Sequence, residues 1–102
     1  MLEAPVENRL KKLEDYGFKV SKFVTPGRSG SQDRIIYWPK WSPAPPVFVE
    51  IKRPGKKERP LQAAVRDDMK ARGCDVRDMC DTYEKIDHLV ETLFYEARGR
   101  VL

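Results

Sequence analysis

Cysteine and histidine are scarce: the 102 residues include two cysteines and one histidine. Cys74 and Cys80 are spaced neither as a CxxC redox pair nor as half of a zinc site, and His88 alone cannot complete one. This excludes a zinc-held or disulfide-dense scaffold and leaves both cysteines as packing thiols in a reducing compartment. Long apolar runs are missing too. None approaches the ~20 residues needed to cross a bilayer, and the opening MLEAPVENRLKKLE has no apolar signal-peptide segment. The expected location is cytoplasmic.

What is present describes a compact domain. The chain is 40% hydrophobic and 35% charged, outside the composition of disordered chains. A domain of this length buries roughly 60–65% of its unfolded surface, enough for one core and no second. Residues 1–102 are therefore expected to form a single domain. The net charge of +4 is unevenly spread. Residues 1–59 hold 13 Lys and Arg against 7 Asp and Glu, whereas residues 60–102 hold 7 against 9. A basic half of this kind fits a polyanionic partner, or simply a solvated face.

Periodicity orders the elements. Val6, Leu10 and Leu13 mark a helix over about 4–15, stopped by Gly17. Phe18–Val24 alternates as a strand, Thr25–Ser31 has loop composition, and Asp33–Trp38 is a strand. Pro39–Pro46 holds four prolines in eight residues and must be a loop. It joins that strand to Val47–Lys52, predicting an antiparallel hairpin. Arg53–Arg59 is a basic loop. A helix over Pro60–Arg72 is opened by its proline and stopped by Gly73. A short strand over Asp75–Met79 follows. The last helix starts near Asp81 or Thr82, with Glu84 as a capping-box-like signal. Its apolar positions are Ile86, Leu89, Val90, Leu93, Phe94 and Ala97. The order α-β-β-β-α-β-α predicts an α/β fold with a central mixed sheet flanked by helices.

The strand Val47–Lys52 carries the chemistry. Alternation puts Val47, Val49 and Ile51 on one face and Phe48, Glu50 and Lys52 on the other. An acid and a base then share one face of a strand that otherwise reads as central, where unpaired charge is costly. Taken alone, Glu-x-Lys is also the pattern of a strand with one wet face. Asp33 alters the balance. Sixteen residues separate it from Glu50, and the hairpin would set the two side by side. Two carboxylates and the main-chain carbonyl of Ile51 are hard oxygen donors suited to Mg²⁺ or Mn²⁺. Such a cation removes the repulsion between close carboxylates. Lys52 beside it could orient or deprotonate a water and stabilise charge growing on a phosphate.

The runs from Gly27 to Arg34 (GRSGSQDR), Phe48 to Gly55 (FVEIKRPG) and Pro60 to Gln62 (PLQ) resemble the VRR-NUC domain of the PD-(D/E)XK nuclease superfamily. The resemblance extends from the first helix to about Leu89. It implies a restriction-endonuclease-like core and metal-dependent hydrolysis of DNA phosphodiesters to 5′-phosphate and 3′-hydroxyl ends. On it, Asp33 and Glu50 would bind the cation and Lys52 would be the catalytic lysine. Gln62 matches a glutamine placed beside the active site. Glu7 matches an acidic residue of the first helix that completes the site through metal-bound water, with Glu3 and Glu14 as lesser candidates. Arg34, after the aspartate, would contact phosphate. The family usually places proline before the aspartate, where this chain has Gln32; that position shapes the backbone but supplies no ligand.

Arg53, Lys56, Lys57 and Arg59 leave the strand beside the expected cation, where they would meet the DNA backbone. Trp41 could stack on a base, pack internally or join a dimer contact. Stand-alone domains of this type resemble Holliday-junction resolvases of bacteria and phages. The resemblance therefore implies a homodimer acting on branched DNA in a bacterium or phage-infected host. A flap, nick or single-strand nuclease, or a non-catalytic DNA-binding module of the same fold, are the alternatives.

Overall fold

In a computed structural model, described for residues 3–23, 31–52 and 60–102, helix α1 spans Glu3–Asp15 and buries Val6, Leu10 and Leu13. It ends as a Schellman turn: the Phe18 amide donates to the Leu13 carbonyl at 3.1 Å and the Gly17 amide to that of Glu14 at 3.0 Å. Gly17 takes φ +97° there, a conformation side chains resist. Phe18 is consequently spent on the turn and buried beneath it. Strand β1 begins one residue later than periodicity alone suggests and spans Lys19–Phe23.

Strands β2 (Ser31–Tyr37) and β3 (Val47–Lys52) form the expected antiparallel hairpin. Helix α2 (Pro60–Ala71) ends at Gly73 in a second Schellman turn, φ +90°. Strand β4 is only Asp75–Val76, shorter than its sequence suggests. The chain rejoins β3 at Cys80 through an isolated bridge to Ile51, so residues 78 and 79 leave the ladder. The sheet order is β1-β2-β3-β4, with β4 parallel to β3.

Helix α3 (Tyr83–Gly99) is capped by Thr82, whose hydroxyl accepts from the Lys85 amide at 3.1 Å. Asp81 does not cap; it pairs with the Lys85 ammonium at 2.7 Å. Ile86, Leu89, Val90, Leu93 and Ala97 are buried, and Phe94 packs partly against them. With α1 they cover the sheet face bearing Ile36, Val47, Val49 and Ile51, forming one apolar cluster.

The proline-rich loop is stitched to the far end of α3. Ser42 donates to the Ala97 carbonyl at 2.7 Å, and Arg100 donates to the Ser42 carbonyl at 2.9 Å while lying 3.8 Å above the Trp38 ring. Trp41 donates to the Tyr16 carbonyl at 3.2 Å, yet remains 46% exposed. Among the described residues no helix is long and apolar enough to cross a membrane.

Candidate active site

The β2–β3 register pairs Asp33 directly with Glu50. Directly opposed residues of an antiparallel pair share a face, so residues 33 and 50 occupy neighbouring positions on one side of the sheet. Lys52, two positions along β3, is on that same side. The apolar core fills the other side. The hairpin loop is at the opposite end of the two strands, about 10 Å from Glu50 at the ~3.4 Å rise of a strand.

Glu50 and Lys52 are both largely withdrawn from water, with side chains 13% and 6% exposed. The Lys52 ammonium stands 3.6 Å from Glu50 Oε1, an ionic contact longer than a hydrogen bond. That carboxylate oxygen is buried and has no hydrogen-bond partner among the described residues. A buried oxygen of this kind costs free energy unless a donor or a cation meets it.

The peptide groups around the pair are fixed from the β4 side. The Cys80 amide donates to the Glu50 carbonyl and the Lys52 amide donates to the Cys80 carbonyl, both at 2.9 Å. Backbone groups alternate in direction along a strand, so the Ile51 carbonyl turns the other way, toward β2. Cys80 itself is buried, and burial pushes its thiol up to about 11, an inert packing sulfur as expected. Both cysteines are free.

Glu7 meets cations of β1 and β2. Its carboxylate accepts from the Arg34 guanidinium and lies 3.9 Å from the Lys22 ammonium. Arg34 faces Val49 across the register, so this ion pair is on the α1 side of the sheet, opposite the face of Glu50. Arg34 is 1% exposed. Its guanidinium is thus a buried counter-ion of Glu7. A cavity of about 170 Å³, lined by Glu7, Lys11, Glu14, Lys22 and Arg34 among others, opens beside the pair.

A solved structure of a VRR-NUC domain is similar to this chain with a TM-score of 0.64 and 27% sequence identity, covering 87% of this chain and 94% of that one. The chain folds as a VRR-NUC domain. No family model matches the sequence, and no curated protein does. The fold is the nuclease-type α/β arrangement expected, in the expected order of elements.

On this VRR-NUC framework Gln62 falls in the first turn of α2 and Glu3 at the first residue of α1. Arg53, Lys56, Lys57 and Arg59 lie outside the described residues. Among the described residues no three of His, Cys, Asp or Glu converge on a common point. A divalent cation nevertheless fits the donor chemistry around Glu50: a buried carboxylate oxygen with no hydrogen bond among the described residues, and an aspartate position across the ladder. Sequence reasoning missed Cys80 and Arg77. Both act on β3 through peptide groups, and no residue pattern marks that.

Proposed function

We propose that this VRR-NUC domain is a divalent-metal-dependent DNA endonuclease that acts as a homodimer on branched DNA. The observation that carries the reading is the largely shielded Glu50–Lys52 pair, with Glu50 Oε1 lacking a hydrogen bond among the described residues and Glu50 directly opposite Asp33 on the ladder. Asp33, Glu50 and the Ile51 carbonyl would hold Mg²⁺ or Mn²⁺. The cation, when bound, supplies Lewis acidity toward a phosphoryl oxygen and favours hydroxide over water at neutral pH.

The protein's own groups do the rest. Lys52, held beside Glu50 in a site shielded from solvent, presents its ammonium to the phosphate and stabilises charge that grows as water oxygen adds to phosphorus. The phosphorus–O3′ bond breaks, leaving a 5′-phosphate and a 3′-hydroxyl. Gln62, opening α2, orients groups beside the site. Arg53, Lys56, Lys57 and Arg59 bind the DNA backbone without reading bases, which makes binding strongly salt-dependent. One chain supplies one site, and paired cuts in a four-way junction need two, which a C₂ dimer provides.

The test is cleavage of an end-labelled four-way junction, a flap and a linear duplex in Mg²⁺, Mn²⁺ or EDTA, with Glu50→Ala alongside and sedimentation to give the oligomeric state. Symmetric paired cuts that need metal and vanish in the variant are expected. Cutting confined to flaps or nicks would move the substrate elsewhere in the superfamily. Tight binding with no cutting of any substrate would instead favour a DNA-binding module.

A further inference from the structure

Phe48, Glu50 and Lys52 direct their peptide groups away from β2, and two residues of the facing chain hold all three. The Arg77 amide donates to the Phe48 carbonyl at 2.9 Å, and Cys80 brackets Glu50 and Lys52 as described. Between these clasps the two chains are out of step. From Phe48 to Ile51 β3 advances three residues, whereas the facing chain advances four, from Val76 to Cys80. One residue is therefore surplus, and an unanchored surplus residue lets a ladder slip or fray.

The anchor is the Arg77 side chain. Its Nε donates to Asp75 Oδ1 at 2.7 Å and its Nη2 to Asp75 Oδ2 at 3.0 Å. The same guanidinium reaches α3, where Nη1 donates to Glu96 Oε2 at 2.8 Å and Nη2 to Glu96 Oε1 at 3.2 Å. A planar fork satisfying two carboxylates is a rigid brace that lysine cannot reproduce. The segment after it is held again at Thr82, the cap of α3. The irregular stretch is thus tied to α3 at both ends, and its peptides set the position of the Glu50–Lys52 pair.

We propose that Arg77 is a positioning residue for Glu50 and Lys52, acting through the clasp at Cys80; the inference rests on the nuclease reading above. Without the guanidinium, Asp75 and Glu96 face one another as like charges, and the strap carrying Cys80 loosens from α3.

The experiment compares wild type with Arg77→Ala, Arg77→Lys and Glu96→Gln by three measurements. These are Mn²⁺ affinity of the DNA-free protein by calorimetry, amide hydrogen exchange, and kcat and KM on the junction. Arg77→Ala should weaken Mn²⁺ binding about tenfold and lower kcat by a similar factor, the scale seen for residues that orient metal ligands. KM for DNA should stay within about twofold, because Arg77 is not itself one of the proposed DNA-backbone contacts. The Cys80 and Lys52 amides should exchange faster while those of α1 keep their protection, and Arg77→Lys should recover only part of each loss.

A folded Arg77→Ala with wild-type Mn²⁺ affinity, Cys80 protection and kcat overturns the inference. If that variant does not fold, Arg77→Lys and Glu96→Gln carry the test, and wild-type values in both overturn it. A wild type that neither cuts DNA nor takes up Mn²⁺ defeats the nuclease reading, and this inference with it. A wild type that does both, matched by its Arg77 variants, defeats the positioning role alone.

Discussion

At the residue scale the ion pairs Glu50–Lys52 and Glu7–Arg34 stand on opposite faces of one sheet, in different surroundings. Glu50 and Lys52 are both shielded from water but only 3.6 Å apart at closest, so neither saturates the other. Lys52→Ala should retain Mn²⁺ and DNA binding and lose cleavage by about 10²–10³, the scale of removing one group that stabilises transition-state charge. Asp33→Ala and Glu50→Ala should lose metal affinity as well, so calorimetry with Mn²⁺ separates the two outcomes. Glu7 accepts from Arg34 and lies 3.9 Å from the Lys22 ammonium. Glu7→Gln should leave Mn²⁺ affinity near wild type and lower stability by about 1 kcal/mol, a value discounted for the partly exposed carboxylate. Loss of metal affinity with unchanged stability would return Glu7 to the metal site.

At the element scale, ends matter more than interiors. Both Schellman turns sit where glycine permits a positive φ, and each sends the chain directly into a strand. Helix α3 begins with Thr82 as cap and Asp81 as an ion partner one residue before it. The hydrogen bond from Lys85, then the charge of its ammonium, hold the Asp81 carboxyl below the usual carboxylate range. A carboxyl with a depressed folded value binds its proton more weakly in the native chain than in the unfolded one. Its stabilisation is therefore fully present above the ordinary carboxylate range and is lost as pH falls through the depressed value. Urea unfolding of wild type and Lys85→Met should differ at pH 7 and converge near pH 2. A difference that persists in acid would show that Lys85 acts through packing rather than charge.

At the scale of the whole molecule, the apolar cluster joins α1, α3 and one sheet face, and Glu50 and Lys52 lie on the other. Leu93, fully buried in α3, belongs to it. Leu93→Ala should cost about 2–5 kcal/mol, a large share of the ~5–15 kcal/mol that holds a domain together. Thermal melting would check this, and Glu50 should then lose its rigid platform as the protein unfolds. The proline-rich loop is bound at the other end of the sheet, on the α3 terminus. Trp38 and Trp41 donate there to the Pro45 and Tyr16 carbonyls, and Trp41 keeps nearly half its surface exposed.

The hairpin was legible in the sequence because it is local. Strict alternation in Val47–Lys52 and a proline-rich connection set Asp33 opposite Glu50, and glycines 17 and 73 announced the helix ends. The order of elements followed from the same periodicities. Tertiary structure alone decided that Glu7 meets Arg34 rather than Glu50, since that depends on which sheet face α1 covers. It also decided that β4 breaks after Val76 and returns at Cys80, and that Arg77 reaches Glu96. Those partners lie on different elements, and their meeting depends on how helices stack on a sheet, which no short-range pattern encodes.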